Sequence, residues 1–284
     1  MKTYKHLLLA IDVYENDDAL VEEALLLVKR HQGTLSVVHV APHVLSSVPY
    51  AYDFQAAIVE HAKKKLSELK AKFKFSDAQV HLLEGQPKQE ITALAKKIGA
   101  DLIVCGSHGK HGLGLILGST ANGILHFAGV DVLTIRINPE GKRLVDFPYK
   151  HIVVATNLHD DNAKVLETAN DIARAFEATL HVIHVVGDVA ALGYYPAIEF
   201  DLKGDAEKEL ARLIEKQKIE VKKENIHVSI GFPKQEILDL TARAQAGLIV
   251  IGSHGRKGLA AAVLGSTANA VLHGAKSDTL VVRL

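Results

Sequence analysis

The chain has a single cysteine, Cys105, which excludes an intramolecular disulfide scaffold and fits a reducing compartment. It has no net charge. Lysine plus arginine number 33 and aspartate plus glutamate number 33, so no overall field draws the molecule to nucleic acid or to an anionic membrane. Long apolar runs are missing too. The first, Leu7 to Ile11, is far too short for a signal peptide, and nothing approaches the roughly 20 residues that span a bilayer. A cytoplasmic protein is expected, with neither nucleic acid nor membrane as a partner. There is no G-x-x-x-x-G-K-[ST] loop, no nucleophile elbow and no HExxH pair, so P-loop and common hydrolase chemistries are not indicated.

What the chain does have is repetition. YKHLLLAID (Tyr4 to Asp12) returns as YKHIVVATN (Tyr149 to Asn157), and LSVVHV (Leu35 to Val40) as LHVIHV (Leu180 to Val185). GQPKQEI (Gly85 to Ile91) returns as GFPKQEI (Gly231 to Ile237), and DVLTIR (Asp131 to Arg136) as DTLVVR (Asp278 to Arg283). Solenoid repeats have periods of roughly 20 to 50 residues, and this period is far longer. Each unit is therefore a domain, and 284 residues suffice for two. The expected boundaries are 1–137 for the first domain, 138–150 for a linker and 151–284 for the second. In the linker Pro139 and Gly141 interrupt a charged, aperiodic stretch.

Each unit alternates between two patterns. HLLLAI, LSVVHV, AQVHLL, DLIVCG and VDVLTIR are short, β-branched, nearly continuous apolar runs, as strands buried on both faces should be. Between them, Asp17 to Arg30, Ala56 to Phe73, Lys88 to Ile98 and Ser119 to Ala128 read as helices. Strand–helix alternation predicts an α/β fold, a doubly wound parallel sheet with helices on both faces. Ligands bind such sheets outside the carboxyl ends of the strands, where strand order reverses.

That position holds the longest near-identity in the chain: GSHGKHGLGLILGSTANGILH (Gly106 to His126) against GSHGRKGLAAAVLGSTANAVLH (Gly252 to His273). Gly106 and Gly109 would let a ligand approach the main chain closely, and Gly118-Ser119-Thr120 would present helix-start amides to an anion. A strand, a glycine loop and a helix start in series form a phosphate-binding design. The alternative is that the glycines only turn the chain while Ser119 caps a helix. Lys110 and Arg256, which follow the GSHG turns, are either phosphate ligands or solvated loop residues.

Through these motifs the chain resembles the universal stress protein family in its tandem two-domain form. Members that bind ATP carry G-x-x-G, nine residues, then G-[ST]. The second unit matches, with Gly252, Gly255, Gly265 and Ser266. The first has only residues 110–117 between Gly109 and Gly118, one too few. The resemblance also implies strand order 3-2-1-4-5, with an aspartate ending the first strand and a valine ending the second beside the adenosine. Asp12 and Val40 match; in the second unit Val185 matches and Asn157 stands in place of aspartate.

The family reading thus implies an ATP site, possible with Mg²⁺, formed chiefly in the second unit. Its residues are Asn157, Val185, Ile251, Gly252, His254, Gly255, Arg256, Gly265, Ser266 and Thr267. The weaker counterpart comprises Asp12, Val40, Gly106, Gly109, Gly118, Ser119 and Thr120. No carboxylate is evidently placed to activate water, so hydrolysis is expected to be slow at most, and no catalytic residue is assigned. The function implied is a stress-response or regulatory module; the alternative is a carrier or weak enzyme for a nucleotide-linked or acylated metabolite. The last strands are expected to pair the two halves within one chain, and chains to form homodimers.

Half of the 16 histidines are explained by duplication, and they lack local ligand spacing, so structural roles are expected rather than a metal site. Cys105, inside an apolar run, is expected to be buried and inert. Pro42 to Phe54 and Gly187 to Phe200 read as long loops, and they carry Tyr50, Tyr52, Tyr194 and Tyr195.

Overall fold

The first strand of each half has almost no polar face: in HLLLA and HIVVA every residue after the histidine is buried. Such a segment is stable only with cover on both sides, and the rest of each half supplies it. In the computed structural model, residues 4–15, 17–43, 51–107, 117–138, 140–159, 162–187, 196–253 and 264–284 are described.

The first half runs β1 (His6–Ala10), α1 (Asp18–His31), β2 (Thr34–Ala41), α2 (Ala51–Phe73), β3 (Val80–Glu84), α3 (Pro87–Ile98), β4 (Leu102–Gly106), α4 (Ser119–Phe127) and β5 (Asp131–Ile135). All its strand pairs are parallel, in the order β3-β2-β1-β4-β5. The second half repeats this with β6 (His151–Ala155), α5 (Ala163–Phe176), β7 (Thr179–Gly187), α6 (Pro196–Lys216), β8 (Ile226–Gly231), α7 (Pro233–Arg243), β9 (Leu248–Gly252), α8 (Ser266–Gly274) and β10 (Asp278–Val282). Its order is β8-β7-β6-β9-β10, again all parallel. The α/β architecture and strand order read from the sequence are therefore present.

Helix boundaries follow local chemistry. In α1, Leu20, Val21, Ala24 and Leu27 form the buried stripe, Asp18 opens the helix and Lys29 to His31 close it, complementing the helix dipole. The helix stops where Gln32 turns left-handed (φ 53°), and α5 stops the same way at Glu177 (φ 54°). Proline opens both α3 and α7, where its missing N–H costs nothing.

The two long segments expected as loops are partly helical. α2 starts at Ala51 and α6 at Pro196, so residues 51–54 and 196–200 belong to helices. The signal was local: Asp53 sits in the first turn of an alanine-containing helical stretch. Tyr52 thus lies on α2, whereas Tyr50, Tyr194 and Tyr195 fall outside the described residues.

A buried phenol–carboxylate hydrogen bond ties the start of each half to its last strand. Tyr4 donates to Asp131 at 2.8 Å and Tyr149 to Asp278 at 2.9 Å. Burial and the neighbouring carboxylate hold the Tyr4 hydroxyl well above its ordinary pKa. Beyond β5, Ile137 bridges back to Arg143, whose guanidinium pairs with the buried Glu23 of α1. The described chain divides into compact units between Arg143 and Leu144.

Candidate functional site

The first and fourth strands of each half lie side by side, with Ala10 opposite Cys105 and Ala155 opposite Ile251. The chain leaves these neighbours in opposite directions, which opens a crevice at their carboxyl ends. In the second half the crevice is a cavity of 520 Å³. Its apolar wall is Ile183, Val185, Ile237 and Ile251; Asn157 and Asn162 contribute amides, and Gly265, Ser266 and Thr267 bring in the start of α8. In the first half the cavity is 150 Å³, with Val40 and Ile91 on the wall, Gly118, Ser119 and Thr120 at the start of α4, and Gly106 and Asp12 at the strand ends.

Seven of the second-half residues expected at the site thus line one cavity: Asn157, Val185, Ile251, Gly252, Gly265, Ser266 and Thr267. Six first-half residues, Asp12, Val40, Gly106, Gly118, Ser119 and Thr120, line the other. Gly109, His254, Gly255 and Arg256 lie outside the described residues, as do His108 and Lys110.

The glycine loops are closed identically at both ends. The Ser107 amide donates to the Ile135 carbonyl and its own carbonyl accepts from Gly118 at 2.8 Å; the Ser253 amide donates to Val282, and Ser253 accepts from Gly265 at 2.7 Å. The extra residue of the second loop therefore leaves its anchors unchanged, and the difference falls within 108–116 and 254–263, outside the described residues. Gly118 and Gly265 occupy the N-cap positions, and neither helix start has a side-chain cap. Ser119 is the first residue of α4, so the alternative in which its side chain caps the helix is not the arrangement found. The uncapped first-turn amides remain as donors at the positive end of the helix dipole.

The strand-end glycines Gly106 and Gly252 line the cavities and are also closely packed from behind. Gly106 has no positive φ and keeps strand backbone. A Cβ there would come within 3.0 Å of the Ile137 side chain, and one at Gly252 within 3.0 Å of Leu284 and 3.3 Å of Val165. Close packing, and not an unusual backbone angle, favours glycine at these two positions.

The replacement of Asp12 by Asn157 preserves local geometry. Asp12 Oδ1 accepts the Tyr14 amide at 3.1 Å and Asn157 Oδ1 accepts the His159 amide at 3.0 Å. One side-chain oxygen closes this turn, so either residue serves. Behind each turn a histidine is clamped by Nδ1: His39 to the Ile11 carbonyl at 3.1 Å and His184 to the Thr156 carbonyl at 2.8 Å. Burial lowers the His184 pKa, with the carbonyl contact opposing it.

Asp12, Glu15 and Asp17, all half-buried, line the first crevice. Burial pushes the Asp17 carboxyl up to about 6; the hydrogen bond from the Asp12 amide opposes the rise, and repulsion from Asp12, Glu15 and Asp18 adds to it. Among the described residues that line the second cavity, Asn157 and Asn162 stand where Asp12 and Asp17 do, while Asp160 and Asp161, the counterparts of Glu15 and Asn16, lie outside the described residues. Sequence reasoning missed Asp17 and Asn162, and also the wall residues Ile91 and Ile237. The repeat offset aligned the first pair, but nothing in the pattern said that the helix start after the first strand turns into the crevice.

Comparison with known proteins agrees with this architecture. The sequence model of the universal stress protein family matches residues 3–136 and again 148–283. Universal stress protein A homolog 1 of Coxiella burnetii is 38% identical over 138 residues, 46% of this chain and 96% of that protein. A universal stress protein of Mycobacterium tuberculosis is 27% identical over 235 residues, 80% of this chain and 72% of its own. The crystal structure of a universal stress protein from Archaeoglobus fulgidus shares the fold across 99% of this chain and 97% of its own, at a TM-score of 0.68 and 23% identity. Both halves being matched nearly end to end, the chain belongs to the universal stress protein family as a tandem two-domain member.

Proposed function

We propose that the protein is a nucleotide-binding regulatory module whose second half is the principal ATP site. The observation that carries this reading is the 520 Å³ crevice with an uncapped helix start at its edge. Its volume lies within the roughly 300–1,000 Å³ typical of small-molecule sites, whereas the 150 Å³ of the first does not. The lining suits the parts of ATP in turn. Ile183, Val185, Ile237 and Ile251 offer an apolar bed for a base, Asn157 and Asn162 amides for sugar hydroxyls, and the α8 amides with Ser266 and Thr267 donors for phosphate. Bound Mg²⁺ would arrive with the phosphates and neutralise part of their charge.

The described lining of this crevice contains no carboxylate to activate water, which supports binding over turnover and at most slow hydrolysis. Regulation through partners in the cytoplasm, pairing of the halves through their last strands and a homodimer of chains belong to the same proposal. Small-angle scattering tests the pairing; two independently tumbling domains would refute it.

The binding test uses two glycines. Gly265 has φ −62° and ψ 152°, which valine adopts readily, so Gly265→Val adds bulk at the phosphate position without backbone strain. Titration of ATP and Mg²⁺ by calorimetry into the intact protein should give binding that Gly265→Val abolishes and Gly118→Val weakens less. The reverse order would overturn the ranking of the halves. No heat and no co-purifying nucleotide would remove the ATP reading in favour of a carrier of another metabolite.

A further inference from the structure

The two halves differ at the amino ends of their strands, the end of each sheet away from the crevice. In the first half the Asp101 carboxylate closes the start of β1: its Oδ2 accepts the Lys5 amide at 2.8 Å and its Oδ1 the His6 amide at 3.1 Å. Lys5 and His6 return as Lys150 and His151. The main chain around them is the same, since the Asp101 amide donates to the His6 carbonyl as the Gly247 amide donates to that of His151. Asp101 itself returns as glycine, in DLIVCG against GLIVIG, so Gly247 sets no side chain on the second pair of amides. Neither of these amides has another acceptor among the described residues. An aspartate does not fit easily at 247, because its Cβ would come within 3.0 Å of the Tyr149 ring and 3.5 Å of the Asp146 carbonyl.

Where the first half has that carboxylate, the second has a cavity of 630 Å³, a volume typical of small-molecule sites. Lys150, His151 and Gly247 line it, and all its lining residues belong to the second half. Its other charged groups are Lys276 and Asp146, so two lysines stand against one aspartate. Leu144, Val145 and Leu238 form an apolar wall, and Leu144 is a large apolar side chain left 45% exposed. Two adjacent amides that reach one carboxylate in the duplicate half make strong, charge-assisted hydrogen bonds to such a group. We infer that this cavity is a second ligand site, for a small amphipathic carboxylate. The ligand's carboxylate takes the place of the Asp101 side chain on the Lys150 and His151 amides, and its apolar body covers Leu144, Val145 and Leu238. The first half carries its own carboxylate and needs no ligand there. The site is separate from the nucleotide crevice and does not depend on it.

The probes are octanoate and its neutral isostere octanamide, titrated into the full chain at pH 7.5 and followed by calorimetry and by the amide signals in heteronuclear NMR. Octanoate should bind at least tenfold more tightly than octanamide. The Lys150 and His151 amide protons should move downfield as they gain a charged acceptor, while those of Lys5 and His6 stay in place. Asp146→Asn removes the like charge from the lining and should strengthen octanoate about threefold, the size expected for an exposed, screened charge, with octanamide unchanged. Gly247→Asp supplies an internal carboxylate and should abolish octanoate binding. If crowding by Tyr149 keeps that variant from folding, the amide shifts and Asp146→Asn decide. Gly265→Val, in the crevice at the other end of the sheet, should leave octanoate affinity unchanged. Equal affinity for the two probes, no binding of either, or unmoved Lys150 and His151 amides would overturn the inference. Loss of octanoate binding in Gly265→Val would overturn it too, by placing the ligand in the nucleotide crevice. None of these outcomes bears on whether the protein binds ATP.

Discussion

Asp17→Asn should stabilise the protein, and the gain should depend on pH in a defined direction. The carboxyl is held at about 6 in the folded chain against an ordinary value near 3.8. Burial is the main cause and repulsion from Asp12, Glu15 and Asp18 a lesser one, opposed by the hydrogen bond from the Asp12 amide. A shift of about two units corresponds to at most about 3 kcal/mol against folding with the group ionised. Asp17 is half-buried and solvent screens the repulsion, so we expect about 1–2 kcal/mol. Asparagine keeps an acceptor for the Asp12 amide, now 2.8 Å from Asp17 Oδ2, so little is lost in exchange. Because the folded value is raised, the native state binds more protons than the unfolded chain between about pH 4 and 6, and this group's contribution falls as pH rises through that window. Asp17→Asn should therefore match the unaltered protein near pH 4 and exceed it fully by pH 7. Urea denaturation at pH 4, 5, 6, 7 and 8 measures this. A destabilised variant at pH 8, or a gain that does not vary with pH, would refute the reasoning. A carboxylate that costs stability where asparagine serves in the other half is what a ligand-facing role leads one to expect.

Tyr149→Phe removes the donor to the buried Asp278 and should cost about 1–3 kcal/mol in urea denaturation, as should Tyr4→Phe opposite Asp131; a cost below a few tenths would show that the carboxylates do not depend on the phenols. The imidazoles of His151, His181 and His227 follow one another at centroid distances of 5.6 and 6.0 Å, and burial, then neighbouring charge, lowers the pKa of His181 and His227. Their contribution should be present above about pH 6.5 and fade as pH falls below it, so His181→Ser, the residue found at Ser36, should flatten acid destabilisation; an unchanged pH profile would count against it. The Cys105 thiol, pushed up to about 12 by burial, should resist a thiol reagent at pH 8 until denaturant is added, and prompt labelling of the native protein would contradict its placement.

Much of this was legible in the sequence. Apolar runs too continuous to be half-exposed required a sheet covered on both faces, and strand–helix alternation required parallel crossovers, because those are the ways such segments bury their surface. The repeat set the number of domains, and the family resemblance, carried by motifs quoted from both halves, supplied the strand order and the residues at the crevice. Tertiary structure decided how the described ones among those residues are packed. That Gly106 and Gly252 are small for packing against Ile137, Leu284 and Val165 depends on partners remote in sequence. That Asp17 and Asn162 turn into the crevices depends on how α1 and α5 leave the sheet, which no local pattern encodes. A carboxylate in a sequence has an ordinary pKa; only the burial imposed by the fold gives Asp17 its raised one, and with it a chemical difference between two halves that read nearly alike.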